Sequence, residues 1–151
     1  MNPPSKLSLQ TSARNCLAGR MVHIRREGIY DEIELQLAGG DRIVCLITSD
    51  RALKLRLQAG APAYALVNPS AVIVMTEQAD AFRFSARNQL AGHVTQVQAG
   101  MENTEVTITL QGGNSLVALI SNVSAGELQL TAGKPVRAIF KATSVVLGVA
   151  A

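Results

Sequence analysis

The tetrapeptide Ser-Ala-Arg-Asn occurs twice in this chain, at Ser12–Asn15 and at Ser85–Asn88, an offset of 73 residues (85 − 12). The same offset pairs Leu17-Ala18-Gly19 with Leu90-Ala91-Gly92, Gly39-Gly40 with Gly112-Gly113, and Leu46-Ile47 with Leu119-Ile120. It continues through Leu55, Leu57 and Gly60 against Leu128, Leu130 and Gly133, and needs no gap from Ser12 to Leu147. Self-similarity at a fixed period means one structural unit copied and joined. The 151 residues therefore divide into a tail over 1–10, a first domain over 11–75, a linker over 76–83 and a second domain over 84–151. Units of this size bury a modest share of their surface and are marginal alone, so pairing between units or chains is expected.

Both units alternate apolar and polar residues as half-buried strands do. The clearest stretches are Ile33-Glu34-Leu35-Gln36-Leu37 and Val106-Thr107-Ile108-Thr109-Leu110, each followed by Gly-Gly and then Asp or Asn. Those residues accept positive φ, so each marks a hairpin leading into Arg42–Ile47 or Ser115–Ile120. One short helix per unit begins near Thr48 or Ser121 and ends before Gly60 or Gly133. Two closing strand segments follow in each unit, and Phe82 and Phe84 are read as the entry to the second unit's first strand. Five strands and one helical turn outline a small Greek-key barrel. The expected fold is all-β, two tandem OB-like five-stranded barrels with one short helix each.

Several function classes fall away on composition. Aromatic residues make up 3% with no Trp, too few for a nucleic-acid-stacking barrel, and the net charge of +3 is mild. Direct nucleic-acid binding is not expected. No apolar run is long enough to span a bilayer, the opening residues do not form a signal peptide, and a cytoplasmic location is the expectation. Cys16, Cys45, His23 and His93 do not recur between units and are too few and scattered for a metal site. No catalytic constellation is visible, so an enzyme is not expected. Glu32 and Glu105 match across the units and read as a solvated strand face.

What recurs is a set of hydrogen-bond donors: Ser12 and Ser85, Arg14 and Arg87, and the strand-end hydroxyls Thr48 and Ser121. The second unit adds Ser124 and Lys141. Donors and cations without matching acceptors suit a tetrahedral oxyanion, whose oxygens only accept hydrogen bonds.

The combination of Ser85-Ala86-Arg87-Asn88-Gln89-Leu90-Ala91-Gly92, Glu105-Val106, Leu110-Gln111-Gly112-Gly113 and Lys141-Ala142-Thr143-Ser144-Val145 resembles the mop domain of molybdate-binding proteins. The resemblance covers nearly the whole chain in two copies, as in the di-mop molbindins, and extends to the effector half of molybdate-responsive regulators. It implies a molybdate or tungstate oxyanion held between barrels, by Ser12, Ala13, Arg14 or Ser85, Ala86, Arg87 on one side. Ser121, Ser124, Lys141 and Ala142, or Thr48 alone in the first unit, would stand on the other. It also implies a homo-oligomer, a trimer for the storage proteins and a dimer for the regulator. Storage and buffering is the expected role, with the regulator's effector module as the alternative. Asn68 and Arg51 stand where the second unit has Lys141 and Ser124, so unequal sites are expected, strongest where Ser121, Ser124 and Lys141 contribute.

Overall fold

The computed structural model describes residues 14–76 and 81–151. The chain runs β1 (Asn15–Arg26), β2 (Tyr30–Leu37), β3 (Arg42–Thr48), α1 (Ser49–Lys54), β4 (Pro62–Val67) and β5 (Ile73–Met75). It then repeats the order as β6 (Asn88–Ala99), β7 (Asn103–Leu110), β8 (Ser115–Ser121), α2 (Asn122–Glu127), β9 (Pro135–Phe140) and β10 (Val145–Gly148). A single 3-10 turn precedes each last strand, at Pro69–Ala71 and at Ala142–Ser144. The fold is thus two OB-like five-stranded units with one short helix each, as the alternation required.

The alternation translates directly into an inside and an outside. On β2 the buried row is Asp31, Ile33, Leu35 and Leu37, and on β7 it is Thr104, Val106, Ile108 and Leu110. Both first strands carry a register shift, between Met21 and His23 in β1 and between Val94 and Gln96 in β6. An extra residue on one strand sharpens twist and bend, which a five-stranded sheet needs in order to curl. Each helix starts where a strand-end hydroxyl caps it: Thr48 Oγ accepts from the Arg51 N–H, and Ser121 Oγ from the Ser124 N–H. Such caps contribute about 1 kcal/mol. Beyond the helices, Leu57 and Leu130 turn into the core as the sequence pattern requires. Phe82 and Phe84 do not open a strand; their rings pack against each other ahead of β6, which begins only at Asn88.

The two units exchange their last strands. The sheet orders are β10-β4-β1-β2-β3 and β5-β9-β6-β7-β8, so β5 of the first repeat completes the second sheet and β10 of the second completes the first. Val145 pairs with Val67, and Ile73 with Ile139. Inside the first unit the Cys45 thiol donates to the Val145 carbonyl at 3.3 Å, joining the two edges of the curled sheet.

A pseudo-two-fold relation also brings the hairpin tips together. A Cβ on Gly39 would lie 2.0 Å from the Gly112 carbonyl oxygen, so the Gly-Gly pairs serve close approach of backbones as well as turn geometry. The contact is stitched by the Gly112 N–H donating to Asp41 at 2.9 Å and by Asn114 donating to the Ala38 carbonyl at 2.7 Å.

Candidate oxyanion-binding site

The repeated Ser-Ala-Arg-Asn motif lies where the two units meet. Its asparagines are 2% exposed, and each acts as a backbone mimic on the other unit's third strand. The Asn15 amide donates to the Val117 carbonyl at 2.8 Å and accepts from the Val117 N–H at 2.7 Å. Asn88 repeats the pair on Val44 at 2.8 and 2.7 Å. Asparagine fits because its amide carries a donor and an acceptor in one plane, as a peptide does. Sequence reasoning overlooked both asparagines; the signal was their place inside the repeated tetrapeptide.

The arginines next to them also cross the seam. Arg14 meets the Glu105 carboxylate with two nitrogens, at 2.7 and 3.2 Å, and Arg87 pairs with Glu32. Glu105 lifts the Arg14 pKa above its ordinary value, first through the hydrogen bond and then through charge. Glu32 and Glu105, read from sequence as a solvated strand face, are the carboxylate partners of the two motif arginines. Each ion pair joins one repeat to the other. The two arginine side chains remain more than half exposed, and each guanidinium has more N–H donors than its carboxylate contact uses.

Strand register determines what stands beside each arginine. The β6–β9 ladder ends at Asn88 opposite Phe140, and Arg87 and Lys141 are the next residues on the two strands. Lys141 is still extended, with φ −75° and ψ 145°, so the two residues are neighbours along the backbone at the end of the ladder. Lys141 is exposed, and its side chain makes no hydrogen bond or ion pair among the described residues. In the first repeat the equivalent ladder ends at Asn15 opposite Val67, which sets Arg14 beside Asn68. The Asn68 side chain is occupied, accepting from the Ser70 N–H and hydroxyl at 3.3 and 3.2 Å to cap its own 3-10 turn.

The remaining expected donors form a second group. Ser121 and Ser124 meet at the start of α2, with Oγ–Oγ 3.0 Å, and Thr48 holds the equivalent place at α1. Arg51, on the first turn of α1, is exposed. No hydrogen bond or ion pair among the described residues links Ser121, Ser124 or Thr48 to Arg87 or Lys141. Within one chain, Lys141 follows β9 next to the start of β6, and the helix-start hydroxyls form a separate group. Ser85 is exposed, while Ala86 and Ala142 are buried and fix the backbone on either side of the two cations. Ser12 and Ala13 lie outside the described residues. A cavity of about 290 Å³ lined by Arg26, Gly28, Asp31, Ser49, Asp50 and Leu53 sits toward the Arg26 end of β1 and includes none of these donors. No cluster of three or more potential metal-ligating side chains occurs among the described residues. No helix there is long and apolar enough to cross a membrane.

The TOBE domain model matches residues 11–74 and again 85–147. The chain is 36% identical over 144 residues to the molybdenum transport protein ModE of Herbaspirillum seropedicae, covering 95% of this chain and 53% of that protein. It is 33% identical over 147 residues to the molybdenum-pterin-binding protein MopA of Rhodobacter capsulatus, covering 97% and 55%. The chain thus spans about half the length of the curated relatives it matches. Among solved structures, the cytoplasmic molybdate-binding protein ModG with molybdate bound superposes with a TM-score of 0.89 at 34% identity, over 94% of this chain and all of that one. The chain belongs to the TOBE-domain family and carries that domain twice.

Proposed function

We propose that this protein captures molybdate or tungstate reversibly, as a cytoplasmic store and buffer for the oxyanion. The observation that supports the reading is the pair of exposed residues Arg87 and Lys141, which follow the last β6–β9 pair, in a fold shared with a molybdate-bound relative. A dianion leaves water only where donors replace its hydration shell. Arg87, Lys141 and Ser85 supply one half of that shell, and the hydroxyls of Ser121 and Ser124 on another copy of the chain supply the other. Arg14 with Ser12 and Ala13, facing Thr48, forms the weaker version. Binding between copies makes the protein a homo-oligomer, with a trimer favoured and a dimer as the alternative. Charge and shape do not separate sulfate from molybdate, so cavity size has to. The process makes and breaks no covalent bond, and no enzyme activity is needed.

Thermal unfolding at matched ionic strength tests this. A ligand at a hundredfold its dissociation constant stabilises by about 2.7 kcal/mol per site. Molybdate and tungstate are expected to raise the melting temperature while sulfate and phosphate do not. Equal shifts with all four anions, or none, would remove the reading.

A second reading rests on the length of the ModE proteins, which are about twice as long as the aligned chain. On that reading the same sites serve as the sensing module of a larger regulator. The size of the native gene product separates the two.

A further inference from the structure

We propose that Glu32 and Glu105 are built-in competitors for the oxyanion, holding the arginines of the two sites until molybdate or tungstate displaces them. The inference rests on the reading of the Ser-Ala-Arg segments as anion-binding and assigns a role to two residues outside that segment.

Three observations carry it. First, the same contact is made twice, Arg14 on Glu105 and Arg87 on Glu32, each pair spanning the two repeats. Second, the Arg14 pair occupies the guanidinium's fork, with both carboxylate oxygens against two nitrogens. A tetrahedral oxyanion offers the same thing, an edge of two acceptor oxygens, so carboxylate and ligand contend for one recognition edge. Third, the partners differ in freedom. The side chains of Glu32 and Glu105 are 17% and 36% exposed, against 56% and 55% for Arg87 and Arg14. The carboxylates are carried on strands, and the arginine side chains are the more open to solvent.

Capture then proceeds as an exchange of partners. The guanidinium releases the carboxylate and takes the oxyanion, and no proton moves. The carboxylate stays behind as a fixed negative charge near a bound dianion, which lowers affinity and speeds release, as a buffer requires. Because each pair bridges the repeats, anion capture also gives up one inter-repeat contact, tying occupancy to how tightly the units are held together. Lys141 has no such carboxylate partner among the described residues, so competition acts through Arg87 alone in the second-repeat site.

Glu32→Gln is the discriminating variant. The amide keeps an acceptor for Arg87 and removes the charge. The full chain and the variant are titrated with molybdate by calorimetry, at fixed ionic strength. Glu32→Gln is expected to tighten binding roughly three- to tenfold, the scale of one partly exposed charge. Its ligand-free melting temperature is expected to fall. Unchanged or weaker binding by Glu32→Gln would overturn the competition and leave Glu32 a structural tie. Molybdate binding by neither wild type nor Glu32→Gln would instead overturn the oxyanion reading, and the competition with it.

Discussion

Arg87 and Arg14 occupy equivalent places and meet equivalent carboxylates, yet Lys141 stands beside the one and Asn68 beside the other. Counting formal charges, the second-repeat cluster holds two cations against Glu32, and the first-repeat cluster one against Glu105. Duplication preserved what holds the units together, the asparagine bridges, the cross-seam ion pairs and the touching hairpin tips. It did not preserve the charge available to a ligand. Asn68 shows how the two differ without harm to the fold, since its amide caps the turn that Lys141 leaves uncapped. The architecture is therefore duplicated while the proposed function is concentrated in the second repeat.

The comparison breaks most sharply at the hairpin tips. Gly39 has φ +89° and faces the Gly112 backbone, whereas an added Cβ at Gly112 first meets the movable Asp41 carboxylate, at 2.5 Å. Gly39→Ala is expected to destabilise the chain by about 3–4 kcal/mol and Gly112→Ala by about 1–2 kcal/mol, measured by urea unfolding. Equal losses would mean that the tips are interchangeable. The next effect is on the ligand. Lys141→Ala removes a charge-assisted contact worth about 1.5–3 kcal/mol and is expected to weaken molybdate binding tenfold to a hundredfold with folding intact. Asn68→Lys is expected to strengthen the first-repeat site, at the expense of about 1 kcal/mol from the lost cap.

Where the repeats are alike, matched substitutions should match. Asn15→Ala and Asn88→Ala each strip two hydrogen bonds from a half-buried strand residue. Both are expected to destabilise by about 2–3 kcal/mol, within about 0.5 kcal/mol of each other, in the same unfolding assay. A large difference would show that the two seams are not equivalent.

The fold was largely legible because alternation and the Gly-Gly turns state strand, face and hairpin locally. The strand exchange was not. Ile73-Val74-Met75 alternates in the same way whichever sheet it joins, and nothing in three residues names the partner. The donors of the site were legible because they repeat. The backbone neighbourhood of Arg87 and Lys141 was not, since it comes from a ladder between strands that are far apart in sequence. The roles of Glu32 and Glu105 were hidden for the same reason: their arginines lie 55 and 91 residues away.

The smallest expected effect concerns the thiols, which only the first repeat carries. Burial pushes the Cys45 thiol up to about 12 and raises Cys16 by a lesser burial. A folded value above the unfolded one stabilises fully below about pH 9. That stability is then lost as pH rises toward 12. At pH 8 a thiol reagent is expected to modify Cys16 slowly and Cys45 only on unfolding. Prompt labelling of Cys45 in the native chain would show that the first unit opens more readily than its packing implies.

Calorimetric titration of the full chain with molybdate, wild type against Lys141→Ala, tests the division of labour most directly. Two classes of site are predicted, the tighter one weakened tenfold to a hundredfold in Lys141→Ala and the weaker one unchanged. A single class of site, or a Lys141→Ala chain that keeps both at full affinity, would contradict it.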